Sequence, residues 1–349
     1  VLDSSANAFS AAVTMKADTG GDETFGNITF VDSAAVKLHS SAGTNGDLFI
    51  DAGTDLAVGG NLSITATTGN ITQGSEVAVG GTTTLVTSAN DATITLNDAD
   101  NAFTGALTIT TNDNSGTDAA VIIDGGTTAL IIAASTIDGN LTLTSGATAG
   151  ITDSGTVTVG GDLAATTDAG NGVIDMDTLA VDGSMALVTN GNGAATVVND
   201  AGIEFAASTV RGALTATATT GDITDSGTLT ITGASIFTTR VGGSNIVLDS
   251  SANAFAAAVT MKADTAGNET FGNITFVDSA AVRLHSSAAS AGDLYINAST
   301  DGAVGGDLSI TATTGNITQG SEVAVTGTTT LVTSANDATI TLNDADNAF

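Results

Sequence analysis

Apolar and polar residues alternate along most of this chain, and the alternation predicts short β-strands. An apolar position every second residue is typical of a strand with one buried face. Between these strands lie shorter apolar pieces, such as Ile71 and Val77–Val79, bounded by Gly, Asn, Asp or Ser, which favour turns. No stretch has helical spacing with capping residues. The clearest strand phrase, Gly-x-Leu-x-Ile/Leu-Thr, occurs at residues 60–65, 105–110 and 139–144, with looser versions from Gly161, Gly183 and Gly212.

The leading apolar residue of this phrase recurs about every 22 residues. The spacings are 23 and 22 for Leu62, Leu85 and Leu107, and 22 and 22 for Leu141, Leu163 and Met185. Three short strands in each period predict an all-β fold, a parallel β-helix or β-solenoid in which each turn, here called a rung, stacks on the previous one. A single rung buries too little apolar surface to offset the entropy of ordering it, so neighbouring rungs must stabilise each other.

A second, longer repeat contains the short one. Residues 1–103 recur as 247–349, with 90 of 103 positions identical. We therefore interpret 1–246 as one long repeat and 247–349 as a second, partial copy, within one continuous β-solenoid over 1–349. The second copy stops in mid-repeat and the chain begins at Val1 without an initiator Met. We expect the chain to be a segment of a longer protein.

Composition agrees with a stacked, hydrogen-bonded fold. The 349 residues include no Pro, which cannot donate to a β-ladder, and 43 Gly, which favour tight turns. Aromatic residues make up only 3% of the chain, so the predicted core is built almost entirely of aliphatic side chains. A small cross-section repeated many times explains how such a core is filled.

The excess of acidic over basic residues limits the classes of molecule that the chain can bind. The chain has 37 acidic and 6 basic residues and a formal net charge of −31, which excludes nucleic acid as a partner because that requires a basic surface. Anionic membrane surfaces are disfavoured for the same reason, and no apolar run is long enough to insert into a membrane. Without Cys there is no disulfide framework. We expect self-association, lateral or end to end, with divalent cations relieving the repulsion between copies.

Two segments carry a resemblance to known repeats. Asn-Ala-Phe-Thr-Gly-Ala-Leu-Thr-Ile-Thr at 101–110 and Gly-Asn-Leu-Ser-Ile-Thr-Ala-Thr-Thr-Gly-Asn-Ile-Thr-Gln at 60–73 resemble repeats of filamentous-haemagglutinin-like adhesins and giant bacterial β-strand-repeat surface proteins. The resemblance covers nearly the whole chain, although its motifs are of low complexity. It implies a right-handed β-helix, export to the cell surface, and a role in adhesion, biofilm or sheath formation.

One acidic loop is a candidate calcium site. Its oxygen-bearing side chains occupy alternate positions, as in calcium-binding loops, although the EF-hand pattern is absent. The alternative is an Asn/Asp-rich corner whose side chains cap turn amides. The candidate ligands, in the two copies of the loop, are Asn97, Asp98 and Asp100, and Asn343, Asp344 and Asp346.

Other polar motifs have a structural alternative as well. Asn27-Ile-Thr29, Asn70-Ile-Thr72 and Asn140-Leu-Thr142 fit the N-glycosylation sequon, but the same residues suit a turn that enters a strand. His39 and His285 are one position in two copies, and with no other His they cannot form a catalytic triad or a metal trio.

The sequence therefore predicts a structural protein and no enzyme. Our interpretation is an extracellular filament or cell-surface stalk, secreted, that mediates matrix, sheath or cell–cell contacts and requires no cofactor, with calcium as the candidate ligand. The alternative is an adhesin that binds surface glycans or other cells through a tip outside this segment. A third hypothesis, a polysaccharide-active β-helix enzyme, predicts a cleft in the unrepeated stretch 104–246.

Overall fold

The chain folds entirely into β-strands and turns wherever the structure describes it. The computed structural model describes residues 1–17, 26–39, 47–50, 57–112, 119–263, 272–285, 293–296 and 304–349. No helix is present in these ranges, and all the strand pairs found in them are parallel. The predicted all-β, parallel β-solenoid with about 22 residues per rung is confirmed, while its right hand stays a prediction.

Contacts group the chain into two compact units, Val1–Gly183 and Ser184–Phe349. Whether they form the single continuous solenoid expected from the repeats stays a prediction. The strands of unit 1 are β1 Val13–Met15, β2 Ile28–Asp32, β3 Val36–His39, β4 Asp47–Ile50, β5 Ala57–Val58, β6 Leu62–Ala66, β7 Ile71–Gln73, β8 Ala78–Val79, β9 Thr83–Thr87, β10 Ile94–Leu96, β11 Ala102–Phe103, β12 Leu107–Thr110, β13 Val121–Asp124, β14 Leu130–Ile132, β15 Ser135–Ile137, β16 Leu141–Ser145, β17 Ile151–Asp153, β18 Val157–Val159, β19 Leu163–Thr167 and β20 Ile174–Val181.

In unit 1 the strands form three stacks, which are the sides of the coil. One stack runs β2, β6, β9 and β12, and then continues through the pairs β14/β15 and β17/β18 to β20. A second runs β3, β7, β10, β13, β16 and β19. The third is the short stack β5, β8 and β11. Rungs such as β6–β7–β8 thus contain the three short strands predicted.

The strands of unit 2 follow the same scheme. They are β21 Ser184–Val188, β22 Ala195–Asn199, β23 Ile203–Phe205, β24 Ser208–Val210, β25 Leu214–Ala218, β26 Ile223–Asp225, β27 Leu229–Ile231, β28 Ser235–Thr239, β29 Ile246–Leu248, β30 Ala254–Phe255, β31 Val259–Ala263, β32 Ile274–Asp278, β33 Val282–His285, β34 Asp293–Ile296, β35 Leu308–Ala312, β36 Ile317–Gln319, β37 Thr329–Thr333 and β38 Ile340–Thr341.

In unit 2 one side of the coil is formed by five-residue strands and another by pairs of strands of two or three residues. β22, β25, β28 and β31 stack directly on one another. On another side the pairs β23/β24, β26/β27 and β29/β30 stack in turn, followed by β32, β35 and β37.

The core lies inside the coil, where most strands away from the two ends bury every second side chain. In β16, for example, Leu141 and Leu143 are buried while Thr142 and Thr144 are partly exposed. The rare aromatic residues form a series of ring contacts in the core of unit 2, edge-to-face or tilted, with centroid separations of 6.2, 6.2 and 5.1 Å along Phe205, Phe237, Phe255 and Phe276. None of these Phe residues pairs with another in a ladder: Phe237 lies in the β22–β25–β28–β31 stack and the other three lie on the facing strands. The Phe side chains therefore contact one another across the interior of the coil.

One predicted register is wrong by two residues. The sequence spacing placed Leu85 above Leu62, whereas the ladder pairs Leu62 with Thr83 and Leu85 with Ile64. A shift of two keeps every side chain on its own face, so the hydrophobic pattern alone cannot detect it. The 22-residue step between Leu141 and Leu163 is confirmed.

Candidate functional site: hydrogen-bonded corners between rungs

Asn and Asp residues at strand entries link successive rungs of unit 2. Because equivalent positions stack, a side chain in one rung reaches the backbone of the next. The Oδ1 of Asp222 accepts from Asn245 N at 2.7 Å, and that of Asn245 accepts from Asn273 N at 2.8 Å. The Oδ1 of Asn273 accepts from Asp307 N at 2.8 Å, and that of Asp307 from Thr328 N at 2.7 Å. We call this series the entry ladder; it runs through five successive corners.

Unit 1 uses the same device at the sequon-like positions. The Oδ1 of Asn27 accepts from Asn61 N at 2.8 Å, and that of Asn61 accepts from Thr82 N at 2.9 Å. The Oδ1 of Asn70 and of Asn140 each accept one amide of the next rung in the same way. These Asn-x-Thr/Ser triplets therefore act as a turn cap followed by a strand, which is the structural alternative stated above.

A second kind of acceptor lies at the end of strands with the sequence Ile-Thr-Asp. Its side-chain oxygens accept hydrogen bonds from the following rung. The Oδ2 of Asp153 accepts from Thr178 N and Thr178 Oγ1, both at 2.8 Å, and its Oδ1 accepts from Asp177 N at 3.2 Å. The carboxylate of Asp225 accepts from Asp249 N at 2.8 Å and from Asn253 Nδ2 at 2.6 Å. Carboxylates at these corners are thus engaged by backbone and side-chain donors of the following rung.

The most extensively bonded corner residue is Asn101, which is fully buried. Its Oδ1 accepts from Gln73 Nε2 and Val77 N, both at 2.8 Å. Its Nδ2 donates to Leu96 O at 3.3 Å, Gln73 Oε1 at 3.1 Å and Asp124 O at 3.0 Å. Asn101 therefore joins three rungs, and leaving any of these groups without a partner would be costly.

The predicted calcium ligands lie immediately before this residue. The Oδ1 of Asp98 accepts from Asp100 N at 3.0 Å, and Asp344 bonds Asp346 in the same way. Asn97 and Asp100 are exposed, as are Asn343 and Asp346. Within the described ranges, no group of three or more His, Cys, Asp or Glu residues could hold a metal ion. The geometry is that of a side-chain-capped turn, and the calcium site stays a prediction.

The functional residues predicted from the sequence include the neighbours of Asn101 but not Asn101 itself. The detectable signal is the triplet Asn-Ala-Phe, present at residues 7–9, 101–103, 253–255 and 347–349. In each triplet the Asn bonds across rungs. In the two covered copies, Phe103 and Phe255 are buried in the core.

Two corner carboxyl groups have altered acidities. The pKa of Asp175 is raised above its ordinary value by burial, and further by the nearby charges of Asp177 and Asp153. Burial is also the largest cause of the raised pKa of Asp124, which the hydrogen bond from Gly126 N partly offsets. The repeat geometry thus crowds like charges in columns along the corners.

The two His residues have a packing role. A side chain on Gly74 would overlap the ring of His39, and one on Gly320 would overlap the ring of His285. The glycine of one rung therefore makes room for the imidazole of the rung before it, identically in both copies.

The comparisons with known proteins agree with the repeat architecture. No helix in the described ranges has the length and hydrophobicity needed to cross a membrane. No curated protein matches the chain, and neither does any solved structure. The model of the DUF5649 family, described as repeats of unknown function, matches residues 25–110, 192–262 and 271–349, more than half of the chain. The chain therefore belongs to the DUF5649 family of repeats.

Proposed function

We propose that this chain is a structural, non-catalytic segment of an extracellular filament or cell-surface stalk, lengthened by tandem copies of its 246-residue repeat. The observation that carries the proposal is the junction between the two copies in unit 2. Strands β26, β27 and β28 of the first copy pair in parallel with β29, which spans the junction at residue 247, and with β30 and β31 of the second copy. Ile231 pairs with Phe255 there, and Ser235 with Val259. One copy thus stacks on another without a linker.

The use of the polar corner groups favours a structural role. Asp153, Asp225 and Asn101 direct their side-chain oxygens at amides of adjacent rungs. Groups committed to such bonds stabilise the stack and specify its register. A catalytic carboxylate, in contrast, must be available to a substrate.

The length of purified proteins tests the stacking. Chains with one, two and three copies of residues 1–246 should lengthen by a constant increment of about 50 Å per copy, since about 11 rungs are stacked about 4.8 Å apart. Small-angle scattering and electron microscopy measure this increment. Compact particles whose longest dimension does not grow with copy number would contradict the proposal.

Localisation needs a separate experiment on native cells. An antibody raised against residues 104–246, a stretch without a second copy in this chain, should label fibres or a layer outside the cell envelope in immuno-electron microscopy. Labelling confined to the cell interior would contradict the extracellular part of the proposal and leave the stacking intact.

Calcium belongs to this proposal as a ligand that links acidic chains. We expect calorimetric titration with CaCl₂ to show saturable binding that decreases when the loop acids are neutralised. The variant is Asp98→Asn, Asp100→Asn, Asp344→Asn and Asp346→Asn, and its control, Asp162→Asn, Asp182→Asn, Asp200→Asn and Asp249→Asn, has the same net charge. Equal binding by the two variants would reject the loop as the site.

A further inference from the structure

The turns after β19 and β21 contain Asn-Gly pairs, in which asparagine is most prone to lose its side-chain amide. Glycine has no side chain to block the approach of its nitrogen to the amide of the preceding residue. In each pair the Asn is exposed to solvent. The sites therefore differ in how the fold holds the glycine. The pairs in the described part of the chain are Asn171–Gly172, Asn190–Gly191 and Asn192–Gly193.

The turn after β21 presents Gly191 to solvent and fixes the residues on either side of it. Gly193 N donates to Asn190 O at 2.9 Å, which closes the turn. Thr189 Oγ1 donates to Gly193 O at 2.7 Å, which ties the turn to the end of the strand. Gly191 is exposed and has a φ of 59°, in the left-handed region that glycine adopts without strain. The fold thus holds this glycine in one conformation at the tip of the turn.

The nitrogen of Gly191 lies against the side-chain amide of Asn190. Gly191 N donates to Asn190 Oδ1 at 2.6 Å, so it is held beside the carbon of the same amide group. The nitrogens of the other two glycines are bonded to backbone carbonyls instead. Gly172 N donates to Ala169 O at 3.4 Å, and Gly193 N closes its own turn. Both of these glycines are buried. Of the three nitrogens, that of Gly191 has the proximity that favours attack on the side-chain amide.

We propose that Asn190 is a self-modification site, at which the chain converts its own asparagine to aspartate and isoaspartate. Gly191 N loses its proton to a solvent base and attacks Cγ of Asn190. The new N–Cγ bond closes a cyclic imide, and the Cγ–Nδ2 bond breaks to release ammonia. Water then hydrolyses the imide: cleavage of the N–Cγ bond gives Asp, and cleavage at the α-carbonyl gives isoaspartate, whose main chain runs through Cγ. Water is consumed, ammonia is released, and the turn gains a negative charge.

Arg211 lies beside this turn on the next rung. Val188 pairs with Thr209, so the same register continued by two residues places Arg211 level with Asn190. Arg211 N donates to Thr189 Oγ1 at 2.9 Å, which fixes its backbone against the turn, and the residue is exposed. A cation at this position attracts the negative charge that develops on the amide during attack and the carboxylate that remains after hydrolysis. Arg211 is therefore a positioning residue that favours the conversion.

The two products differ in their effect on the stack. Asp keeps the path of the main chain, whereas isoaspartate lengthens it between residues 190 and 191 and turns the carbonyl that closes the turn into a free carboxylate. Gly212 N donates to Gly193 O at 2.7 Å, so the lengthened turn lies directly against the next rung. We expect isoaspartate to loosen this contact, which amide hydrogen exchange at Gly212 would detect in aged chains. The modification requires only the folded rung and does not depend on the filament role.

Mass spectrometry of the full 349-residue chain, aged in neutral buffer, tests the assignment. Chymotryptic peptides report Asn190 and Asn192 together, and an isoaspartyl methyltransferase labels the isoaspartate product alone. We expect Asn190 to convert about tenfold faster than Asn171 or Asn192, because the glycines of those two sites must first break a backbone hydrogen bond. The rate should rise with pH, since the attacking nitrogen must lose its proton. Conversion of Asn171 or Asn192 ahead of Asn190 would overturn the inference.

The same chain unfolded in guanidinium chloride separates the effect of the fold from that of the sequence. There all three sites should convert at similar rates, because each is an Asn-Gly pair; a preference for Asn190 that persists on unfolding would reject the role of the turn. In the folded chain, Arg211→Gln should slow conversion of Asn190 about threefold, as for the loss of one exposed charge interaction. Its control, Asn192→Gln, should leave the rate at Asn190 unchanged, and circular dichroism establishes that both variants fold. Equal rates at the three sites in the folded chain would also overturn the inference, and an Arg211→Gln rate equal to the wild type would overturn the part assigned to Arg211.

Discussion

Residues 83–103 and 329–349 have the same sequence in two different settings. In unit 1 the rung is covered by β12 and β13, with Thr83 pairing with Leu107 and Ile94 with Val121. In unit 2, among the described residues, β37 and β38 pair only with the preceding strands β35 and β36. Ile94 is 0% exposed and its counterpart Ile340 is 44% exposed. The backbone forms the same strand in both places, β9 and β37, but only the covered one is buried.

Residues 1–17 and 247–263, which differ only at Ser10 and Ala256, give the same result at the other end of the repeat. Residues 247–263 rest on the rung that contains β28, and Leu248, Val259 and Met261 are buried. Their counterparts in 1–17 pair, among the described residues, only with later strands, and they are exposed or partly exposed. A rung of this family therefore specifies its own strands and turns, whereas its burial comes from the neighbours. Length and stability are thus coupled, as in other repeat proteins.

The largest effect is expected when the equivalent Phe of each copy is replaced by Ala. Phe103 is 0% exposed and Phe349 is 63% exposed. We expect Phe103→Ala to lower the free energy of unfolding by about 4 kcal/mol, because it removes a buried ring and leaves a cavity. Phe349→Ala should cost less than about 1 kcal/mol. Urea unfolding followed by circular dichroism measures both losses. Equal losses would contradict the conclusion that the neighbouring rungs determine how much each Phe contributes.

The corner asparagines give a second, smaller contrast. Asn101→Ala leaves Val77 N, Asp124 O and the Gln73 amide without their partner, and we expect a loss of about 2–3 kcal/mol. Asn347→Ala should cost less, because Asn347 is partly exposed and water can replace it. Asn101→Asp serves as the control that keeps the acceptor oxygen. Amide hydrogen exchange at Val77 and Val323 reports each corner separately.

The sequence predicted the strands because period-two alternation and turn residues are local signals. It also predicted the rung length, since Leu141 to Leu163 is one full turn. It could not predict the register of Leu85, because a shift of two residues leaves the buried face unchanged. It chose Asp98 over Asn101, because acidity suggests a ligand whereas buried hydrogen bonding depends on what stacks above and below. Contacts made across rungs leave no signal within one rung.

The pH dependence of the melting temperature tests the effect of burial on one acidic residue, Asp278. Burial raises the pKa of Asp278 above its ordinary value of 3.8, and hydrogen bonds from Phe255 N and Ala280 N partly offset this. The stability linked to a raised pKa is fully present below 3.8 and is lost as the pH rises through the folded-state pKa. The melting temperature should therefore fall as the pH increases from about 4 to 7, and Asp278→Asn should reduce that fall. Asp182→Asn, at an exposed position, should leave it unchanged; identical profiles for the two variants would refute the assignment.

The smallest expected effect concerns a feature that the two settings share. Asp91 and Asp337 have φ values of 59° and 62°, in the left-handed region, although one rung is covered and the other is not. At Gly170, Gly191 and Gly243, turns after other long strands use glycine for a positive φ. Asp91→Gly and Asp337→Gly should each stabilise the chain by about 0.5 kcal/mol, since glycine adopts this conformation without strain. The two gains should be equal, unlike the losses at Phe103 and Phe349, because a turn conformation is local and burial is not. A gain at Asp91 alone, in calorimetric melting of the two single variants, would show that the neighbouring rung determines the turn as well.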